Sequence, residues 1–463
     1  MYFRATIDTT LMKVHFIAIG GSAMHNLALA LHRKGYEVSG SDDEIFEPAL
    51  SRLKTAGILP ENTGWFPGKI NDGIDAIILG MHAREDNPEL QKAREIGLKI
   101  FSYPEYLYEQ SKDKQRIVIG GSHGKTTITA IILHVMRSLN IETDYMVGAQ
   151  LEGFDVMVKT TDTAKYMVIE GDEYLTSPID RRPKFHVYKP DIGVISGIAW
   201  DHINVFPTFE NYVDQFRIFA EMIPENGSLV YCAEDKIVTD VSRSKNIKAG
   251  IISYKAPDYY IKDGTSIIKY NDHEYPMLVF GHHNMLNIEA ARSVLELIGV
   301  RPDDFYSSVA SFKGAAKRLE LISSIGKTNI YKDFAHSPSK LKATIEAVKG
   351  QFPDRKLIAC MELHTFSSLN TSFLEQYEGS MDNADTAIVY YNRHALDLKK
   401  LPYFETSVVA DAFKRQDLIV FNETTGLLEF LLGRNYKNTN LLIMSSGNFD
   451  GLDLKKLSEV ING

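Results

Sequence analysis

Residues 117–127 read IVIGGSHGKTT, and few folds accommodate that order of residue types. Ile117, Val118 and Ile119 are branched and apolar, which suits a buried strand. Gly120, Gly121, Ser122, His123 and Gly124 then make a turn whose backbone N–H groups can close around an anion. Lys125, Thr126 and Thr127 open an amphipathic helix with Ile128, Ala130, Ile131 and Ile132 among its apolar positions. A helix N-terminus favours negative charge, Lys125 can reach outer phosphates, and the Thr126 hydroxyl can hold Mg²⁺. Strand, glycine turn and helix in this order imply a site for ATP. The fit to G-x-x-x-x-G-K-[ST] is incomplete, because Ile119 stands at the first glycine position.

The chain has 463 residues, enough for about three domains at roughly 150 residues each. Its formal charge is −9, and no Lys/Arg-rich block stands out, which argues against nucleic acid as a partner. No apolar run approaches the roughly 18 residues that a membrane-spanning helix needs, so no membrane insertion is expected. Cys232 and Cys360 are far apart in sequence and lie in apolar, strand-like runs. They read as buried free thiols in a reducing compartment, and the expected address is the cytoplasm. Residues 1–11 lack the apolar core of a signal peptide, and Met12 is as good a start as Met1. Oligomeric state is not legible.

Short β-rich runs alternate with helical patterns, which predicts an α/β fold with parallel sheets. The strand-like runs are Val14–Ile19, Ala76–Leu79, Ile117–Ile119, Tyr166–Ile169, Ile192–Ile195, Leu357–Cys360, Thr386–Tyr390 and Leu441–Met444. Helical patterns include Met24–Lys34, Asn287–Leu297 and Ser339–Val348. The polar run Glu109–Gln115 looks like a linker, and a second boundary is expected near Ser311–Lys317. Three units follow: 12–112, 113–316 and 317–463.

The first unit opens VHFIAIGGSAMHNLALAL, again a strand, a glycine turn and a helix, with Asp42 after the next short strand. Ala18 and Ala23 replace two glycines of the dinucleotide fingerprint, so NAD is poorly supported. Gly20 and Gly21 at a helix start still suit a nucleotide diphosphate, and they equally suit a turn that only packs a helix on a sheet. In the middle unit, Glu170, Asp172 and Glu173 follow a strand. Like charges this close favour either solvent or a bound cation. A second strand end delivers Asp201 and His202. Mg²⁺ prefers oxygen, so His202 is the unorthodox member of such a set. Asn287, in GHHNMLN, offers an amide for a base edge. Asp333 offers a carboxylate for a ribose, and Arg318 can grip phosphate bidentately.

Taken together, these segments resemble the Mur ligase family across residues 12–463. GGSHGKTT resembles its phosphate loop, IEGDEY its acidic segment, Asp201-His202 its acid–histidine pair, and GHHNMLNIEAA its asparagine signature. Arg318 in KRLEL and Asp333 in KDFAHSP match nucleotide-contacting positions. The resemblance implies a Rossmann-like N-terminal domain (12–112), a central P-loop ATPase-like domain (113–316) and a C-terminal Rossmann-like domain (317–463). It implies an ATP- and Mg²⁺-dependent amide ligase working through an acyl phosphate. Gly121, Ser122, His123, Gly124, Lys125, Thr126, Thr127, Asn287, Arg318 and Asp333 would hold ATP. Lys125, Glu170 and His202 would be catalytic, and Thr126, Glu170 and His202 would hold the metal. Gly20, Gly21, Ser22, Ser41, Asp42, Arg84 and Asn87 would hold UDP-N-acetylmuramate.

Other branches of the family carry a carbamylated lysine shortly after the histidine; here Asp214-Gln215-Phe216-Arg217 has none. GDEY, DRRPKF and SSGNFDG resemble the branch that attaches L-Ala-γ-D-Glu-meso-diaminopimelate during peptidoglycan recycling, with Arg181 and Arg182 as partners for acceptor carboxylates. The alternative acceptor is L-alanine. MELHTF (361–366) lacks an arginine that both relatives place near here, which leaves the acceptor open. A P-loop NTPase coupling hydrolysis to motion is the reading from another class; it would hydrolyse ATP without a muramyl substrate. A non-catalytic nucleotide-binding regulator is another, and it would be expected to lose Lys125 or Glu170.

Overall fold

In the computed structural model, described for residues 11–462 except 152, 155, 316 and 317, three parallel-rich sheets follow one another along the chain. Residues 1–10, and residues 316 and 317 at the expected second boundary, lie outside the described residues.

The first sheet contains β1 (Lys13–Ile17), β2 (Glu37–Ser41), β3 (Ala76–Leu79) and β4 (Ile100–Ser102), in the order β2-β1-β3-β4 and all parallel. The second contains β5 (Gln115–Gly120), β6 (Thr143–Met146), β7 (Val158–Lys159), β8 (Tyr166–Glu170), β9 (Ile192–Ile195), β10 (Ser228–Cys232) and β11 (Gly250–Tyr254). Its order is β11-β10-β9-β5-β8-β6-β7, with only β7 antiparallel. A small antiparallel sheet follows, made of β12 (Tyr259–Lys262), β13 (Thr265–Tyr270) and β14 (His273–Met277). The last sheet contains β15 (Glu320–Ile325), β16 (Thr328–Asp333), β17 (Lys356–Glu362), β18 (Thr386–Tyr390), β19 (Ile419–Phe421) and β20 (Thr439–Met444). Its order is β15-β16-β20-β17-β18-β19, with β15 antiparallel.

The expected strands are all present, displaced by a residue or two at their ends. The helices run Ser22–Arg33, His282–Leu297 and Pro338–Gln351 where the patterns predict them. Central strands such as Ile117–Ile119 and Leu441–Met444 are buried on both faces, as helix-covered parallel sheets require. Cys232 and Cys360 are buried free thiols, as expected. Among the described residues, no helix is long and apolar enough to cross a membrane.

The expected linker is pinned. A helix ends at Glu109 and β5 starts at Gln115. Across this turn the Arg116 guanidinium donates to the carbonyls of Ser111, Lys112 and Lys114 at 2.9–3.0 Å. It also pairs with Asp191 at 3.0 Å.

Candidate active site

In open parallel sheets, ligands gather beyond the C-terminal strand ends where neighbouring connections diverge. In the middle sheet that place is the end of β5, flanked by β8 and β9. Ile119 lies opposite Glu170 of β8, and Gly120 opposite Ile195 of β9. Register alone therefore brings the phosphate loop, Glu170 and the loop carrying Asp201 and His202 together. Gly121 (φ 135°) and Gly124 (φ 80°) occupy backbone conformations that side chains resist. A Cβ at Gly124 would lie 2.5 Å from the Asn287 Oδ1.

One cavity between the second and third sheets is lined by Ser122, His123, Gly124, Lys125, Thr126, Thr127, Glu170, Glu173, Asp201, His202, Asn287, Arg318 and Asp333. Nine of the ten residues expected to hold ATP line it; the exception, Gly121, instead gives its carbonyl to the Lys125 ammonium at 2.6 Å. Asn287 does line the cavity, but its amide packs beneath Gly124 rather than standing free for a base edge. Asp333 accepts from the backbone N–H groups of Leu319 and Ala335, both at 2.7 Å. Burial raises its pKa even though the Arg318 guanidinium opposes that. Arg318 is stacked over the Phe334 ring at 4.7 Å.

Lys125 is the electrostatic centre. Its Nζ lies 2.6 Å from the Glu173 Oε2. Burial works against the ammonium charge, but Glu173 and Asp172 outweigh it and hold the pKa above the ordinary value. Glu173 is 1% exposed at its side chain and also accepts from the Tyr212 hydroxyl at 3.0 Å. Tyr212 in turn shares a hydrogen bond with the Ser122 hydroxyl at 2.9 Å. The third carboxylate of the loop, Asp172, faces Lys184 at 2.6 Å. The acidic loop is thus neither solvated nor uniformly metal-facing: two of its carboxylates are paired with lysines.

The remaining one, Glu170, accepts from Thr126 Oγ1 at 2.7 Å and from the Gly148 N–H at 2.8 Å. Two oxygens from Thr126 and Glu170 beside a phosphate loop suit a hard divalent cation such as Mg²⁺. His202 lines the same cavity in a left-handed conformation (φ 54°), with its Nε2 3.8 Å from the Glu173 Oε1. Burial keeps three histidines here neutral: His123 and His283 titrate at about 4, and His336 at about 3. The lysine and arginine side chains at the site are Lys125, Arg318 and Lys340, the last of which the sequence reading does not include; burial lowers the Lys340 pKa from its ordinary value, with Asp201 opposing that.

A second, open recess of ≈740 Å³ lies at the strand ends of the first sheet. Gly20, Gly21, Ser22, Asp42, Arg84 and Asn87 line it, together with Phe46, Trp65 and His82, which carry no sequence motif. Ala18 adopts φ 68°, the conformation that the missing fingerprint glycine would otherwise supply. Asp42 holds the Gly20 N–H at 2.6 Å and so shapes the turn as well as facing the recess. Asn87 caps the next helix, accepting from the N–H groups of Glu89 and Leu90. Ser41 is fully buried and does not line the recess; its place one residue before Asp42 puts it on the inward face of the strand.

A glycine turn at a helix start, two adjacent side-chain oxygens and cations supplied by two sheets are the parts an ATP-dependent α/β enzyme needs. The sequence matches the Mur ligase family catalytic domain over residues 13–115 and the Mur ligase middle domain over residues 119–295. The UDP-N-acetylmuramate–L-alanine ligase of Caldicellulosiruptor bescii is 33% identical over 393 residues, covering 81% of this chain and 83% of the relative. Its namesake from Clostridium tetani is 32% identical over 391 residues, covering 81% and 82%. Among solved structures, UDP-N-acetylmuramate-alanine ligase from Thermotoga maritima superposes with a TM-score of 0.67 at 20% identity, over 97% of this chain and 98% of that one. A murein peptide ligase from Psychrobacter arcticus gives 0.64 at 23% identity, over 98% and 99%; these two likenesses speak for the fold alone. The chain belongs to the Mur ligase family, whose members are ATP-dependent enzymes that form amide bonds.

Proposed function

We propose that this ligase condenses UDP-N-acetylmuramate with L-alanine through an acyl phosphate, with Mg²⁺, in the cytoplasm. In this reading residues 12–112 bind UDP-N-acetylmuramate, 113–316 bind ATP and 317–463 bind the acceptor. The observation that carries the chemistry is the single cavity holding Lys125, Thr126, Glu170, His202, Arg318 and Asp333. A carboxylate is a poor electrophile, so it must be activated. Its oxygen attacks the γ-phosphorus, and ADP departs. The amine then attacks the acyl carbon, phosphate departs, and the nitrogen loses its proton as the amide forms. Phosphoryl transfer of this kind depends on positioning and charge neutralisation, which Lys125 and Arg318 supply. Thr126, Glu170 and His202 would hold the metal, whose charge would help neutralise the developing negative charge. The recess around Gly20, Gly21, Asp42 and Arg84 would take the uridine diphosphate.

Relatives above 30% identity that carry the L-alanine name support that acceptor over the tripeptide expected from GDEY, DRRPKF and SSGNFDG. The argument from Arg182 also loses force. Its guanidinium is engaged by Asp180 at 2.6 Å and by Glu105 at 3.4 Å. Arg181 is exposed, and that one observation keeps the cell-wall tripeptide as a second reading. Phosphate release with UDP-N-acetylmuramate and, separately, L-alanine, L-Ala-γ-D-Glu or L-Ala-γ-D-Glu-meso-diaminopimelate tests both. The acceptor with the highest kcat/KM is the substrate, since that ratio measures discrimination. A clear tripeptide preference replaces the first reading by the second. ATP hydrolysis at full rate without UDP-N-acetylmuramate rejects both.

A further inference from the structure

Lys340 belongs to none of the motifs in the sequence, yet it lines the same cavity as Lys125. It sits in the first turn of the helix Pro338–Gln351, which follows β16 in the third sheet. A cation there opposes the positive end of the helix dipole, where acidic residues are usually favoured; this first turn has none. The placement costs stability, so something at the site should offset it.

Its present partners offset it poorly. The Nζ is 3.5 Å from the Asp201 Oδ2 and 3.5 Å from the His336 Nε2, both too long for strong hydrogen bonds. Lys125, by contrast, has Glu173 at 2.6 Å and the Gly121 carbonyl at 2.6 Å. The Lys340 side chain is 23% exposed and Asp201 9%, so the ammonium is mostly desolvated without being tightly bound. Four carboxylates line the cavity, namely Glu170, Glu173, Asp201 and Asp333, against three lysine and arginine side chains, Lys125, Arg318 and Lys340. A polyphosphate entering that cavity needs added positive charge. Lys340 is the cation with long, weak contacts and a flexible stem.

We propose that Lys340 is a second phosphate-binding residue, which leaves Asp201 to contact the terminal phosphoryl group of ATP as it is transferred. This rests on the ATP-ligase reading above. It adds a second cation, beside Arg318, from the third sheet's domain to the phosphate site. The bland alternative is that Lys340–Asp201 is simply an ion pair joining two domains.

Calorimetric titration of the full-length protein with a non-hydrolysable ATP analogue and with ADP separates the two. Lys340→Gln is expected to weaken the triphosphate at least ten-fold more than the diphosphate, and Lys340→Arg to keep most of the difference. An ion pair with only a joining role would weaken both nucleotides equally, and that result overturns the proposal. So does an unchanged ratio in Lys340→Arg and Lys340→Met alike, which decides the matter if the glutamine variant fails to fold. In phosphate-release assays, Lys340→Gln should lower kcat by about 10²-fold, the scale for one preorganised charge-stabilising group. A parent protein that releases no phosphate with any acceptor would reject the ligase reading. The triphosphate-to-diphosphate affinity ratio would still judge Lys340.

Discussion

Replacing Lys125 by alanine should injure the protein twice, and the two injuries can be separated. The catalytic one follows from removing a charge aimed at the transferring phosphoryl group. Loss of one preorganised stabiliser costs about 3–4 kcal/mol, or roughly 10²–10³-fold in kcat. The structural one follows from Glu173, whose side chain is 1% exposed and whose Oε2 lies 2.6 Å from the ammonium. Breaking a buried pair by removing one partner costs about 3–5 kcal/mol, because the other charge stays buried. The lower end applies here, since the Tyr212 hydroxyl still donates to Glu173 at 3.0 Å and the carboxyl can take up a proton. Lys125→Ala should therefore melt several degrees below the parent and release almost no phosphate. Adding Glu173→Gln removes the stranded charge. The double variant should regain most of the lost melting temperature and none of the activity. Thermal melting and phosphate release on the parent, both single variants and the double variant complete the cycle. If Lys125→Ala melts like the parent, the 2.6 Å pair contributes nothing to stability. If it turns over normally, Lys125 does not face the phosphate at all.

Two further outcomes follow from the same site. Glu170→Gln and His202→Ala should each raise the Mg²⁺ concentration giving half-maximal activity; parental metal curves for both would make these residues structural. Stability of the nucleotide-free protein should fall as pH drops from about 6.5 toward 4, at up to about 1.4 kcal/mol per pH unit for each buried neutral histidine. The sign follows from His123, His283 and His336, whose folded pKa values of about 4, 4 and 3 lie below the unfolded value, so the unfolded chain binds more protons in that window. Melting temperatures measured between pH 7.5 and 4.5 check it, and a flat profile would show that these rings ionise freely in the fold.

The fold was legible because the central strands of its parallel sheets are among the chain's densest branched apolar runs. Ala76–Leu79 and Ile192–Ile195 coincide with the observed strands, since turn residues close both ends of each. The N-terminal glycine turn was legible too, but not its price. An alanine at position 18 takes a glycine's conformation, and only backbone geometry reveals that. The phosphate loop, Glu170, Asp201 and His202 could be placed together because strand ends in a parallel sheet share one edge. Arg318 and Asp333 needed the family resemblance, since a lone arginine and a turn acid carry no local signal.

What escaped the sequence are the residues whose roles depend on which distant side chain faces them. Glu173 reads as one more acid in a charged loop, yet folding removes it from solvent and aims it at Lys125, while its neighbour Asp172 goes to Lys184. Tyr212 lies 90 residues from Ser122 in the chain and joins it through a hydrogen bond that no spacing rule predicts. Lys340 did carry a faint signal, as a lysine placed against a helix dipole just after a strand end. Its meaning depends on Asp201, which the middle sheet supplies. The pattern is physically coherent. Residues that bind through backbone turns are fixed by local chemistry and show in the sequence. Residues that balance charge are fixed by which charges face them, and that is settled only when segments distant in the chain come together. Variants at Lys340 therefore probe the meeting of two sheets as directly as they probe chemistry, whereas variants at Glu173 probe the interior of the middle unit alone.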